Sequence, residues 1–288
     1  NTRRGSELPE NTDRWLWNTG FHFGEWLIPG QPSEGLEVCK ESASYIAPFF
    51  GYRTLRLFAE ICFLLNRAEY SEYSDYAEHM KQAIVDGLLT PGHLPKHLMG
   101  AYVLAFAFGL VPEALYPQFT AQLRTLLDDA DDCVGTGFLA TPFLLDVAEA
   151  LYGAEAALRI LMQTKQPSWL FEVEQGATAI WENWFALSEQ GEPQKCSFDH
   201  YAFGCVDDWL CRRLCGIDAA KPGFSELRIA PLEDVPFDWA RTFVCEAGEI
   251  AVRKDGASLQ VRIPPNTTAA VLWNGVAHKV GSGAYTFC

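Results

Sequence analysis

Trp209-Leu210-Cys211-Arg212-Arg213-Leu214-Cys215-Gly216, followed shortly by Glu226-Leu227-Arg228-Ile229, is the stretch where the chain changes character. Up to Gly216 apolar residues recur three and four apart, the period of a helix with one covered face. Beyond it Leu227 and Ile229 flank Arg228, the period of a half-buried strand. The switch predicts a mainly α fold with a C-terminal β domain, divided as residues 1–220 and 221–288.

Upstream of the switch the pattern is helix after helix. Helices are expected over Glu41–Asn66, Ser71–Leu88, Leu98–Leu110, Pro112–Leu127, Leu139–Leu151, Ala154–Gln163, Thr178–Leu187 and His200–Leu214. A break or kink is expected near Pro48 and Gly51. Residues 1 to about 40 read as an aromatic loop. Roughly half of the helices are apolar nearly all round, which suits an inner ring of helices covered by an outer one. Downstream, Thr242-Phe243-Val244, Leu259 to Ile263 and Ala270 to Trp273 read as short strands. Asp255-Gly256 and Asn274-Gly275 are hairpin turns, and Pro264-Pro265-Asn266 breaks between strands. A small antiparallel β domain is expected from about Phe224 to Cys288.

The net charge of −15, with no basic stripe, excludes nucleic acid and an anionic membrane as partners. No apolar run is long enough to span a bilayer; Leu98 to Val111 is short and holds Gly100 and Gly109. The nine cysteines are odd in number and form no framework, so a reducing, cytoplasmic setting without disulfides is expected. Cys211 and Cys215 share a helix face but lack further ligands nearby, and the Asp128 to Asp132 loop lacks the glycine and distal Glu of a calcium loop. No metal and no cofactor are expected. The polar start, Asn1-Thr2-Arg3-Arg4-Gly5, has neither a signal peptide nor an initiator Met, and reads as part of something longer.

Three residues stand out chemically. Glu182 lies between Trp181 and Trp184, a carboxylate framed by the flat apolar faces that a pyranose ring packs against. His200, in Ser197-Phe198-Asp199-His200-Tyr201, follows a polar loop among aromatics and can hydrogen-bond a ligand hydroxyl. Trp26, in the glycine-bearing loop Thr19 to Leu27, offers a stacking face. Each has a plainer reading as well: a helix start whose Trp residues fill a core and whose Glu is solvated, a capping or core histidine, a tryptophan plugging a barrel end. Nucleophile elbows, phosphate loops, dinucleotide fingerprints and HExxH zinc motifs are absent.

These residues resemble the C-terminal half of bacterial α-L-rhamnosidases of glycoside hydrolase family 78. The resemblance is carried by Thr19 to Leu27, Gly135 to Leu139, Pro167 to Leu170, Gly176 to Trp184 and Ser197 to Gly204, and extends through Pro222-Gly223-Phe224 and Ile263 to Thr267. It implies a partial six-hairpin (α/α) toroid followed by a β-sandwich, and inverting hydrolysis of terminal α-L-rhamnosyl bonds. It implies Glu182 as general base, Trp26 and His200 lining the sugar pocket, and a rhamnosylated small molecule or oligosaccharide as partner. The family's general acid lies in an acidic segment with no counterpart here, so a further segment completing the toroid is expected; the alternative is a non-catalytic carbohydrate-binding or structural remnant. Smaller departures are Glu25 where Asp is usual, Ala179 for Thr, Asn183 for Arg and Asp199 for Asn.

Overall fold

The structure, a computed structural model, describes residues 14–17, 22–31, 40–188 and 190–288. The chain divides into two compact units, residues 1–203 and 204–288.

In the first unit seven α-helices follow one another among the described residues: α1 Lys40–Leu64, α2 Tyr70–Ile84, α3 Met99–Ala107, α4 Tyr116–Asp129, α5 Thr141–Tyr152, α6 Ala154–Leu161 and α7 Trp169–Glu174. They pack as consecutive pairs, α1 with α2, α3 with α4, and α5 with α6, while α1, α3 and α5 also touch in sequence. This is a layer of three helices backed by a second layer. Its middle member shows why: every residue of α3 from Met99 to Ala105 is buried, so no side of that helix faces water. The outer helices are two-faced, with Phe119, Leu123 and Leu127 buried along one stripe of α4.

Helix α1 runs uninterrupted through Pro48, where a break was expected. Its first half buries Tyr45, Phe49 and Tyr52. Toward its end Leu57, Phe58, Ile61, Phe63 and Leu64 are exposed, an apolar face the described residues leave uncovered.

The helix expected over Thr178–Leu187 does not form; the segment is a run of turns. Its backbone donors are claimed by other partners. Trp181 N donates to Glu172 Oε2, Glu182 N to the Ser197 carbonyl, and Phe185 N to Asn183 Oδ1. A helix would need these groups for carbonyls four residues back. Conversely, α7 was not foreseen; Ser168 caps it by accepting from Phe171 N at 3.1 Å.

The second unit opens with a helical stretch that includes α8 (Val206–Trp209) and a π turn over Leu210–Leu214. Gly216 then turns the chain at φ +69°, and a Cβ there would lie 2.2 Å from the Ala230 carbonyl carbon. Only glycine permits both the conformation and the approach. Eight strands follow: β1 Ile217–Ala219, β2 Glu226–Ile229, β3 Trp239–Cys245, β4 Gly248–Asp255, β5 Ser258–Ile263, β6 Thr268–Trp273, β7 Val276–Val280 and β8 Gly283–Phe287. They make two four-stranded sheets, ordered β1-β2-β6-β7 and β3-β4-β5-β8. All pairs are antiparallel except β2 with β6, which is parallel.

Alternation holds where it was read. Leu227 and Ile229 of β2 are buried, as are Leu259, Val261 and Ile263 of β5. The two foreseen turns take different forms. Asn274 and Gly275 both have positive φ, as a type I′ hairpin requires, whereas at β4–β5 Gly256 supplies the positive φ directly after Asp255.

Candidate active site

The loop bearing Trp26 is fixed by the residue before it. Glu25 is fully buried. Its Oε1 accepts the backbone N–H groups of Gly137 and Ala140, each at 2.9 Å. Its Oε2 accepts from the Tyr45 hydroxyl at 3.3 Å, and its own N–H donates to Ser42 Oγ at 2.8 Å. Burial raises the Glu25 carboxyl from 4.5 to about 7, against the opposing pull of the Ala140, Gly137 and Tyr45 hydrogen bonds. Trp26 itself is half-buried, and its carbonyl accepts from Phe138 N at 3.0 Å. Gly137 is needed here because a Cβ would sit 2.2 Å from that carbonyl oxygen. Leu27 follows at φ +56°, an unusual conformation for a branched side chain.

Phe138 links this loop to His200. The two rings stack at 5.2 Å and 16°, and Tyr201 stacks beside His200 at 5.0 Å and 18°. His200 Nδ1 accepts from Ala202 N at 3.3 Å, which in the neutral ring leaves the proton on Nε2 as a donor. His200 N in turn donates to the Ile180 carbonyl at 2.8 Å.

That bond joins the 197–200 segment to the turns carrying Glu182. Glu182 N donates to the Ser197 carbonyl at 2.9 Å, and Ser197 N donates back to Glu182 Oε2 at 2.8 Å. One carboxylate oxygen is thereby tethered, while Oε1 takes no hydrogen bond among the described residues. The flanking tryptophans are core residues. Trp184 packs against Phe203 at 4.1 Å and donates from Nε1 to the Thr136 carbonyl; Trp181 is buried and meets Phe198 edge-on at 5.2 Å. The plain reading of both rings as core is therefore correct for this chain. Phe198 (37% exposed) and Tyr201 (88% exposed) instead supply the open aromatic surface near Glu182 and His200.

The three residues singled out in the sequence are thus brought into one connected arrangement, running from Trp26 through Phe138 to His200 and on to Glu182. Three members were not among the site residues expected from the sequence. Phe138 is the link, Glu25 the anchor, and Glu172 the support beneath Trp181. Glu172 is 1% exposed, and burial lifts its carboxyl to about 7, opposed by the Trp181 N–H bond. A Glu within Gly24-Glu25-Trp26-Leu27 or Leu170-Phe171-Glu172-Val173 was the available signal: a charge with apolar neighbours on both sides.

A cavity of about 490 Å³ lies beside the loop, lined by Ile28, Met99, Gly135, Gln166 and Pro167 among others; Trp26, Glu182 and His200 do not line it. Among the described residues there is no cluster of three or more metal-ligating side chains, and the eight described cysteines are free thiols. No described helix is long and apolar enough to cross a membrane.

Residues 5–214 match the bacterial alpha-L-rhamnosidase 6 hairpin glycosidase domain, and residues 216–285 match the bacterial alpha-L-rhamnosidase C-terminal domain. The chain belongs to the bacterial α-L-rhamnosidase family. It is 30% identical over 260 residues to an alpha-L-rhamnosidase of Formosa agariphila, covering 86% of this chain and 28% of that protein. It is 32% identical over 208 residues to one from Streptomyces avermitilis, covering 69% and 20%. Among solved structures, the Streptomyces avermitilis alpha-L-rhamnosidase complexed with L-rhamnose superposes with a TM-score of 0.82 at 25% identity, over 99% of this chain and 29% of that one. The Aspergillus terreus enzyme gives 0.77 at 24%, over 93% and 33%. The chain therefore spans about a third or less of the length of these relatives.

Proposed function

We propose that this chain supplies the base half of an inverting α-L-rhamnosidase site. The observation that carries the reading is the Glu182 carboxylate. It is held through Oε2 by Ser197 N, with Oε1 unengaged, and the segment that tethers it also carries the exposed Phe198 and the His200 donor. A general base needs that combination: a fixed carboxylate with one oxygen open to a water. Glu182 Oε1 takes a proton from water as the water attacks the anomeric carbon. His200 Nε2 donates to a sugar hydroxyl, and Trp26 gives an apolar wall suited to the C6 methyl of rhamnose.

Inversion also needs a protonated carboxyl about 6.5–9.5 Å from the base. Glu25 and Glu172 hold their protons to about 7, yet with exposures of 0% and 1% neither can touch a leaving oxygen. We propose, as the family resemblance implies, that the general acid lies on polypeptide outside these 288 residues. The short span relative to the family's enzymes and the uncovered apolar end of α1 support this.

The test is release of L-rhamnose from an aryl α-L-rhamnoside by a polypeptide that contains these residues together with the acid-bearing segment. Glu182→Gln should lower turnover by about 10²–10⁴-fold. Turnover at the unsubstituted rate would remove Glu182 from the base role. Binding of L-rhamnose without turnover would favour the non-catalytic reading.

A further inference from the structure

We propose that Glu25 is a positioning residue for the sugar pocket, which holds Trp26 and the Phe138–His200 stack in register by its hydrogen bonds rather than by its charge. The inference rests on the reading of Trp26 and His200 as pocket residues. Its geometry does not.

One carboxylate oxygen, Oε1, receives both N–H groups that bracket Phe138, at Gly137 and Ala140, each at 2.9 Å. Phe138 is pinned again by its own N–H on the Trp26 carbonyl, and Trp26 is the residue next to Glu25. The turn from Gly137 to Ala140 and the Trp26 loop are thus locked to one side chain. The Phe138 ring then presents its face to His200 at 5.2 Å.

The fit is specific to a long carboxylate. A Cβ at Gly100 would lie 2.2 Å from Glu25 Oε2, and one at Gly137 would lie 2.8 Å from Glu25 Cγ. Two glycines therefore make the room that the side chain fills. Without an acceptor at Oε1, the amides of Gly137 and Ala140 would be buried and unpaired, and the turn would move to find partners.

A hydrogen-bond role has a signature that bulk destabilisation lacks. Glutamine keeps an oxygen where Oε1 lies and puts an NH₂ toward the Tyr45 hydroxyl, which can accept it. Glu25→Gln should therefore preserve the pocket, and Glu25→Ala should not. The experiment uses the full chain and two readouts. The first is the NMR shift of the His200 ring protons, which the stacked Phe138 ring sets and which requires no ligand. The second is L-rhamnose affinity from tryptophan fluorescence.

We expect Glu25→Ala to displace the His200 resonances and weaken L-rhamnose binding about tenfold or more, with Glu25→Gln matching the unsubstituted protein in both. Unmoved His200 resonances in a folded Glu25→Ala protein would overturn the proposal. So would equal damage from Gln and Ala, since charge would then be what matters. If Glu25→Ala does not fold, Glu25→Asp, which keeps the carboxyl but withdraws the acceptor from Gly137 and Ala140, takes its place and should show the same displacement; its absence would overturn the proposal. If a polypeptide that contains these residues together with the acid-bearing segment binds no L-rhamnose, the sugar reading fails on its own, and the His200 shift still decides the role of Glu25.

Discussion

Raising the pH from 5 to 8 should destabilise the helical unit through Glu25, the reverse of what most carboxylates do. An unfolded Glu releases its proton near 4.5, whereas in the folded chain burial keeps the Glu25 carboxyl protonated to about 7. Between those values the folded state holds more protons than the unfolded one, so stability falls as pH rises. The contribution is fully present below about 4.5 and lost above about 7. The interval is worth about 3 kcal/mol at most. No discount for solvent screening applies, because the side chain has no exposed surface. Urea unfolding at several pH values, followed by tryptophan fluorescence, measures the effect. The comparison is Glu25→Gln, which cannot titrate and keeps the hydrogen-bond acceptor. Across the window the unsubstituted chain should lose about 3 kcal/mol relative to the variant. Parallel curves would refute the argument. A relative gain with pH would show that the Gly137, Ala140 and Tyr45 bonds outweigh burial and keep Glu25 ionised.

Other substitutions test the packing within each unit. Gly216→Ala should cost about 2 kcal/mol or more, because a Cβ would meet the Ala230–Pro231 backbone at 2.2 Å in a left-handed conformation; an unchanged denaturation midpoint would contradict the stated contact. Phe203→Ala should cost about 3–5 kcal/mol, since the ring is fully buried against Trp184 at 4.1 Å and Phe138 at 5.0 Å. A cost below about 1 kcal/mol in the same measurement would mean that the cluster reorganises around the gap.

Legibility in the sequence followed the range of the forces involved. Helices α1 to α6 and strands β2, β3, β5 and β6 were readable because burial of a helix stripe or a strand face repeats at a fixed local period. Both hairpin turns were readable because Asn-Gly and Asp-Gly carry their backbone preference with them. The segment around Glu182 was misread as a helix. Its apolar residues are suitably spaced, but its backbone groups are claimed by Glu172, Ser197 and Gln166, partners 9 to 18 residues away. Nothing local encodes that. Glu182, His200 and Trp26 were visible as residue types in aromatic surroundings. Phe138 was not, because its role depends on the Trp26 carbonyl on one side and the His200 ring on the other. The parallel pairing of β2 with β6 was equally hidden, since it is set by the path of the three intervening strands.

The two interior carboxyls also change how a pH–rate profile of this site must be read. A carboxyl whose proton is held to about 7 by burial is the usual mark of a general acid. Here that mark falls twice on side chains that contact the scaffold and not the substrate. Glu172 binds Trp181 N, one residue from the proposed base, and Glu25 binds both sides of Phe138. Ionising either puts a buried negative charge into the scaffold under Glu182 or His200 without any proton reaching the leaving group. A limb near pH 7 in an active polypeptide that contains these residues would therefore have two candidate origins, a general acid or these two supports. Glu25→Gln with Glu172→Gln separates them. A limb that persists in the double variant belongs to the acid. A limb that vanishes while turnover at low pH is kept belongs to the supports, and the site's pH dependence is then a property of its foundation, not of its proton donor.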